Sequence, residues 1–180
     1  MLEILRRSGL EVRLKSAGNP SFAPGVTEFH DIMGSGVVGV IRFIPLSENV
    51  CAIEGSLSGI KSAATKDFEP TFNVQIHEFG DLSNPVESCG DVFNIGESCV
   101  GVLGSFSTPT AFYISRVSLN VSSVIGRSCV IKMTSPDGAA EKSLAVGIVA
   151  RSSGVSENPK MFCTCDGVSI FDERKITDAY

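Results

Sequence analysis

From residue 37 onward the chain is a succession of short runs rich in Val, Ile and Phe: "VVGVIRFIPL", "VCAIEGSL", "TFNVQIHEF", "CVGVLGSF", "AFYISRVSLNV", "SCVIKM" and "SLAVGIVA". Several alternate apolar with polar residues, which puts one side of each extended segment against a core and the other outward. Turn residues separate the runs, and none is long enough or correctly spaced for an internal helix. Seven or more such strands within 180 residues predict an all-β fold, a Greek-key β-barrel or sandwich. At 43% hydrophobic and 19% charged residues, the composition suits one well-buried domain with short extensions.

The flanks differ from this body. "LEILRRSGLEVRLKSAG" spaces Leu2, Ile4 and Leu5 like a helix ending near Gly9, then alternates from Leu10 to Leu14 like a strand. A helix and a strand cannot bury their own apolar faces, so residues 1–18 read as the end of a domain that is mostly missing. Residues 19–36, within "GNPSFAPGVTEFHD" and beyond, read as a Pro- and Gly-containing linker. Residues 37–151 form the predicted barrel, and 152–180 a polar, turn-rich tail carrying "KMFCTCDGVSIFDE".

Charge and residue usage narrow the function classes. A net charge of −5 and a pI near 5.0 give no basic face for nucleic acid. No run approaches the ~18 apolar residues of a spanning helix, so no membrane partner is expected. Arg6 and Arg7 interrupt the short apolar start, which therefore does not read as a signal peptide. Six cysteines without a secretory signal read as thiols in a reducing, cytoplasmic setting. Asn73, Gln75 and His77 alternate along one strand and share a face, but two histidines in the whole chain cannot build an imidazole-based redox centre. His77 is expected to be a hydrogen-bonded strand residue. The pair Cys163 and Cys165 is, alone, either incidental or a small thiol site.

Taken together, "QIHEFGDLSN…SCG..FN", "VIGRS" and "LAVGIVARSSGVSENPKMFCTCDGVSIFDER" resemble the copper chaperones for superoxide dismutase. That family joins a heavy-metal-associated domain, a dismutase-like β-barrel and a short tail with a Cys-x-Cys site. The resemblance implies that residues 1–18 are a remnant of the first domain, whose M-x-C-x-x-C copper motif is absent here. It also implies which residues stand at the dismutase metal positions. Gln75, His77 and Lys132 occupy copper-histidine positions, and Val92 replaces the bridging histidine. Ile95 to Ser98 is a shortened zinc loop, with Cys99 and Val102 at zinc-ligand positions. Ser143 replaces the active-site arginine, while Val86 and Val146 replace the disulfide cysteines. Valines donate nothing and an ammonium repels a metal, so the resemblance implies a barrel without zinc, which is not an enzyme.

The segments matching the dismutase dimer surface are retained: "FGDL", "VIGRS" and "GIVA". They imply docking through Phe79, Gly80, Asp81, Ile125, Gly126, Arg127, Gly147 and Ile148 onto a Cu/Zn superoxide dismutase subunit, or onto a second copy of this chain. Within a chaperone-like tail, Cys163 and Cys165 become the metal site. Thiolates select Cu(I), and residues i and i+2 of an extended segment converge on one ion. Cys51, Cys89, Cys99 and Cys129 are expected as small apolar fillers. The expected function is a copper chaperone that assists copper loading or disulfide formation in its partner through the tail thiols. The competing readings are a metal-free interaction module of truncated or inactive type, and a Cu/Zn superoxide dismutase.

Overall fold

The Val/Ile-rich alternation from residue 38 produces two long paired strands, β2 (Val38–Ser47) and β3 (Val50–Ser58), joined by a tight turn. In the computed structural model, residues 22–60, 70–95, 100–107, 112–135 and 141–153 are described. Residues 1–18 and the tail with Cys163 and Cys165 lie outside the described residues. The remaining strands are β1 (Gly25–Phe29), β4 (Thr71–Ile76), β5 (Val102–Ser107), β6 (Phe112–Val117), β7 (Ser128–Thr134), β8 (Glu141–Ile148) and β9 (Ala150–Arg151). They form two antiparallel sheets, ordered β6-β3-β2-β1-β9 and β5-β4-β7-β8. The chain crosses between sheets after β3, β5, β6 and β8, giving the expected all-β Greek-key sandwich of dismutase type.

Between the sheets lies one principal core. Ile41 and Phe43 of β2, Ile53 and Leu57 of β3, Phe72, Val74 and Ile76 of β4, and Ile131 of β7 are buried there. Phe72 and Phe106 stack across β4 and β5 with centroids 5.2 Å apart. Apolar burial of this kind contributes roughly 25 cal/mol per Å² and is the main stabilising term.

Two features differ from the sequence reading. The stretch 19–36 is not only a linker: Gly25–Phe29 is strand β1, paired with β2 from Gly25↔Phe43 to Phe29↔Gly39 and with β9 on its other side. Its inward positions are Gly25, Thr27 and Phe29, so the expected apolar alternation is masked by a buried threonine. The run "SLAVGIVA" is also not one strand. Val149 leaves β8, donates its N–H to Arg127 O at 2.8 Å and accepts from Gly126 N at 2.8 Å, and β9 then joins the other sheet. "AFYISRVSLNV" likewise stops at Val117; Asn120 Oδ1 accepts from Ser122 N at 3.0 Å and caps a single 3-10 turn that returns Val121 to the core.

Candidate functional site

Strand β4 sends Phe72, Val74 and Ile76 into the core, so Asn73, Gln75 and His77 line the opposite face. Register places Lys132 beside Asn73, Val130 beside Gln75, and Val146 beside Val130. His77 forms an isolated bridge with Val92. The residues assigned to the lost metal positions are thus neighbours. Lys132 and one nitrogen of His77 are engaged otherwise. Lys132 Nζ is 3.1 Å from Glu141 Oε2. His77 Nδ1 is 2.7 Å from Gly90 O, and because a carbonyl only accepts, Nδ1 carries the proton. The buried His77 Nε2 and Gln75 Oε1 have no hydrogen-bond partner. Among the described residues no group of three or more His, Cys, Asp or Glu is placed to hold a metal. A resident copper or zinc ion does not fit this donor set, in which two positions are valine and one is a cation.

Instead, the face is filled with hydrocarbon. Cys89, Val130 and Val146 form a second buried cluster, with Met33, Leu82 and Val86 packed on it. Val86 and Val146, where the resemblance places a disulfide, therefore belong to one apolar contact set. Val86 adopts φ 74 and ψ −45, a positive-φ conformation rare for a β-branched residue. Cys89 follows in a 3-10 turn, fully buried, its thiol directed at Asp81 O at 3.4 Å. The loop between is hydrogen-bonded throughout: Ser88 Oγ donates to Asp81 O at 2.8 Å, and Ser83 N to Asp81 Oδ1 at 2.8 Å. The Ser83 side chain, and secondarily its N–H, hold the Asp81 carboxyl below the usual carboxylate range.

The three segments assigned to docking converge at one end of this sheet. Ser128 is the joint: it pairs with Ile148, and both its N–H (3.2 Å) and its hydroxyl (2.7 Å) donate to Phe79 O. Phe79 and Ile148 flank it with 57% and 39% of their surface exposed. Gly126 is exposed and Ile125 half-buried between them. The other assigned residues build the surface from behind. Arg127 turns inward, donating Nε to Ser123 O at 2.9 Å and Nη1 to Glu78 O at 2.5 Å, with its guanidinium 3.6 Å over the Phe93 ring. Gly80 lies so near Gly126 O that a Cβ would sit 1.9 Å from it. A Cβ on Gly147 would meet Glu28 O at 2.3 Å, where β8 closes against β1.

Sequence reasoning located these segments but not the inward role of Arg127, nor Met33 and Leu82 in the second cluster. The short segments "VIGRS" and "FGDL" carry no periodicity that separates a strut from an exposed side chain. Cys163 and Cys165 lie outside the described residues, as does Cys99. Cys51, Cys89 and Cys129 are buried, as expected of fillers, and burial pushes the Cys51 thiol up to about 12 and Cys129 higher still.

No family model matches the chain. Curated relatives do. The copper chaperone for superoxide dismutase of Rattus norvegicus is 33% identical over 199 residues, covering 95% of this chain and 70% of the relative. The chloroplastic copper chaperone for superoxide dismutase of Oryza sativa is 32% identical over 96% of the chain and 55% of its own length. The superoxide dismutase 1 copper chaperone of Saccharomyces cerevisiae is 27% identical over 97% of the chain and 74% of its length. A barrel with a hydrocarbon-filled metal face and a partly exposed apolar end, together with this coverage, leads to one conclusion: the chain belongs to the copper chaperone for superoxide dismutase family.

Proposed function

We propose that this protein docks on a Cu/Zn superoxide dismutase subunit and promotes its maturation, either supplying Cu(I) from Cys163 and Cys165 or passing on a Cys163–Cys165 disulfide by exchange, the two tail cysteines being reduced to thiols as the partner's two are oxidised. The observation that carries the docking half is the apolar end formed by Phe79, Ile125, Gly126 and Ile148, held rigid from behind by Arg127 and Gly80. An exposed phenylalanine and isoleucine on a hydrogen-bonded frame suit a preformed interface, because little ordering remains to oppose binding. The same surface can pair with a second copy of this chain when no partner is present.

The barrel acts without resident metal and without catalysis of its own. Lys132 is paired with Glu141, and Val130 and Val146 occupy the face where ligands would stand. Copper is cargo, bound by the two tail thiolates, which are soft donors able to hold Cu(I) and release it by exchange. The polar stretch "RSSGVSENPK" gives the pair reach from the barrel to a docked partner. Thiol usage favours the cytoplasm, although the rice relative bears a chloroplastic name.

The test of docking is association. Ile148→Asp places a charge in the proposed interface, where an unpaired buried charge is costly. Sedimentation of the variant with copper-free dismutase should show loss of the heterodimer, with far-UV circular dichroism unchanged. Undiminished heterodimer formation by Ile148→Asp and by Phe79→Asp alike would remove this surface from the account.

A further inference from the structure

Just past β4 the backbone is tied to the segment that returns from the loop after Asp81. Glu78 N donates to Asp91 O at 2.9 Å, and Phe79 N donates to Cys89 O at 2.8 Å. Gly90 lies between these two acceptors, and its own carbonyl accepts instead from His77 Nδ1 at 2.7 Å. Gly90 adopts φ 73 and ψ −162, a conformation open in practice only to glycine. A Cβ built there would stand 2.6 Å from Phe79 Cδ2 and 2.7 Å from Phe79 Cε2. The Phe79 ring therefore rests on bare backbone at Gly90, although 57% of the residue's surface is exposed.

Behind this seat, His77 is 4% exposed, on a face packed with hydrocarbon. Packing alone would be served there by an aliphatic side chain, as it is at Val130 and Val146. An imidazole carries a cost, because its buried Nε2 has no hydrogen-bond partner. What the ring supplies is the donor at Nδ1. The main chain of His77 adds a second tie: its N–H donates to Ser128 O at 2.9 Å, and the Ser128 hydroxyl donates to Phe79 O at 2.7 Å. One residue thus fixes both the seat of the Phe79 ring and the backbone that carries it.

We propose that His77 is a positioning residue for docking: by holding Gly90 O, it fixes the Cys89–Asp91 segment as the seat on which the Phe79 ring is presented in one preset orientation. An exposed aromatic that is free to turn loses rotamer freedom when an interface forms, and that ordering opposes binding. Seated on Gly90, Phe79 has lost that freedom beforehand. This role presupposes the docking reading above and deepens it, naming the buried side chain that sets the conformation of an exposed one.

The test compares wild-type protein with His77→Leu, which removes the donor, and His77→Asn, whose amide nitrogen, like Nδ1, is bonded to Cγ. Two quantities are read on the full chain: cross-relaxation between the Phe79 ring and the Gly90 α-protons by NMR, and affinity for copper-free superoxide dismutase by calorimetry. His77→Leu should lose the ring contact and bind about tenfold more weakly, the ordering cost of one side chain, and His77→Asn should recover both. The ring nitrogen shifts of wild-type His77 should show Nδ1 protonated; protonation at Nε2 alone would overturn the proposal even if His77→Leu failed to fold. Wild-type affinity in His77→Leu, where Ile148→Asp abolishes binding, would overturn the role of His77 and leave the docking surface standing. A loss of affinity that His77→Asn does not recover would also overturn it, as the mark of a merely structural histidine. Undiminished binding by Ile148→Asp would instead remove the docking reading on which this role rests.

Discussion

Arg127 shows how one side chain defines a surface without forming it. Its two donors bind the carbonyls of Ser123 and Glu78, and its plane covers Phe93, so it ties three loops into one end of the barrel. Charged hydrogen bonds contribute about 1.5–3 kcal/mol each when the alternative is a buried unpaired carbonyl. Arg127→Leu is therefore expected to lower unfolding free energy by roughly 2–4 kcal/mol in urea titrations. The buried thiols give a second expectation at this scale. Burial raises Cys51 from the ordinary 9.0 to about 12, and Cys129 further. The folded state therefore keeps protons that the unfolded chain releases above pH 9, so stability is intact below that pH and falls as pH rises toward 12. Unfolding free energies measured from pH 8 to 10.5 should decline, and less steeply for Cys129→Ala. A thiol reagent under native conditions should spare Cys51, Cys89 and Cys129, and should find all six cysteines in denaturant.

At the scale of elements, the outer face of the second sheet is packed with hydrocarbon. Val130 and Val146 are register partners, and Cys89, Leu82, Val86 and Met33 complete the cluster over them. Val146→Ala should cost about 1–2 kcal/mol for the methyl groups and the cavity left between these neighbours, read as a shift in the urea midpoint. Most of the strands could be read from the sequence because β3 and β4 alternate with apolar side chains on the core side, and β2 and β7 are Val/Ile-rich runs bounded by turn residues. β1 could not, since Thr27 sits on its buried side and Val26 on the other, reversing the apparent pattern within five residues. Nor could the break at Val149 be read, because it depends on backbone bonds to Gly126 and Arg127 that are distant in sequence. The segments proposed for docking were legible only through resemblance. Phe79 and Ile148 are exposed because Ser128 binds one beside the other, a relation that spans 69 positions and has no local signature.

For the whole molecule, the proposed function divides the work: the barrel would supply position and the tail chemistry. Among the described residues, the face bearing Gln75, His77 and Lys132 is closed by hydrocarbon and by the Lys132–Glu141 pair, which is why the proposal puts copper on the tail thiols. The docking end and the tail then make separable contributions: Ile148→Asp should abolish partner binding, whereas a Cys163→Ser, Cys165→Ser variant should bind the partner normally. The decisive measurement is maturation of copper-free, disulfide-reduced superoxide dismutase by this protein under Cu(I)-limited conditions, with copper content and disulfide state followed separately. Wild-type protein is expected to raise one or both, and the double serine variant to raise neither while still forming the complex. Equal maturation by the double serine variant would contradict the assignment of the tail thiols and leave the protein a docking module alone.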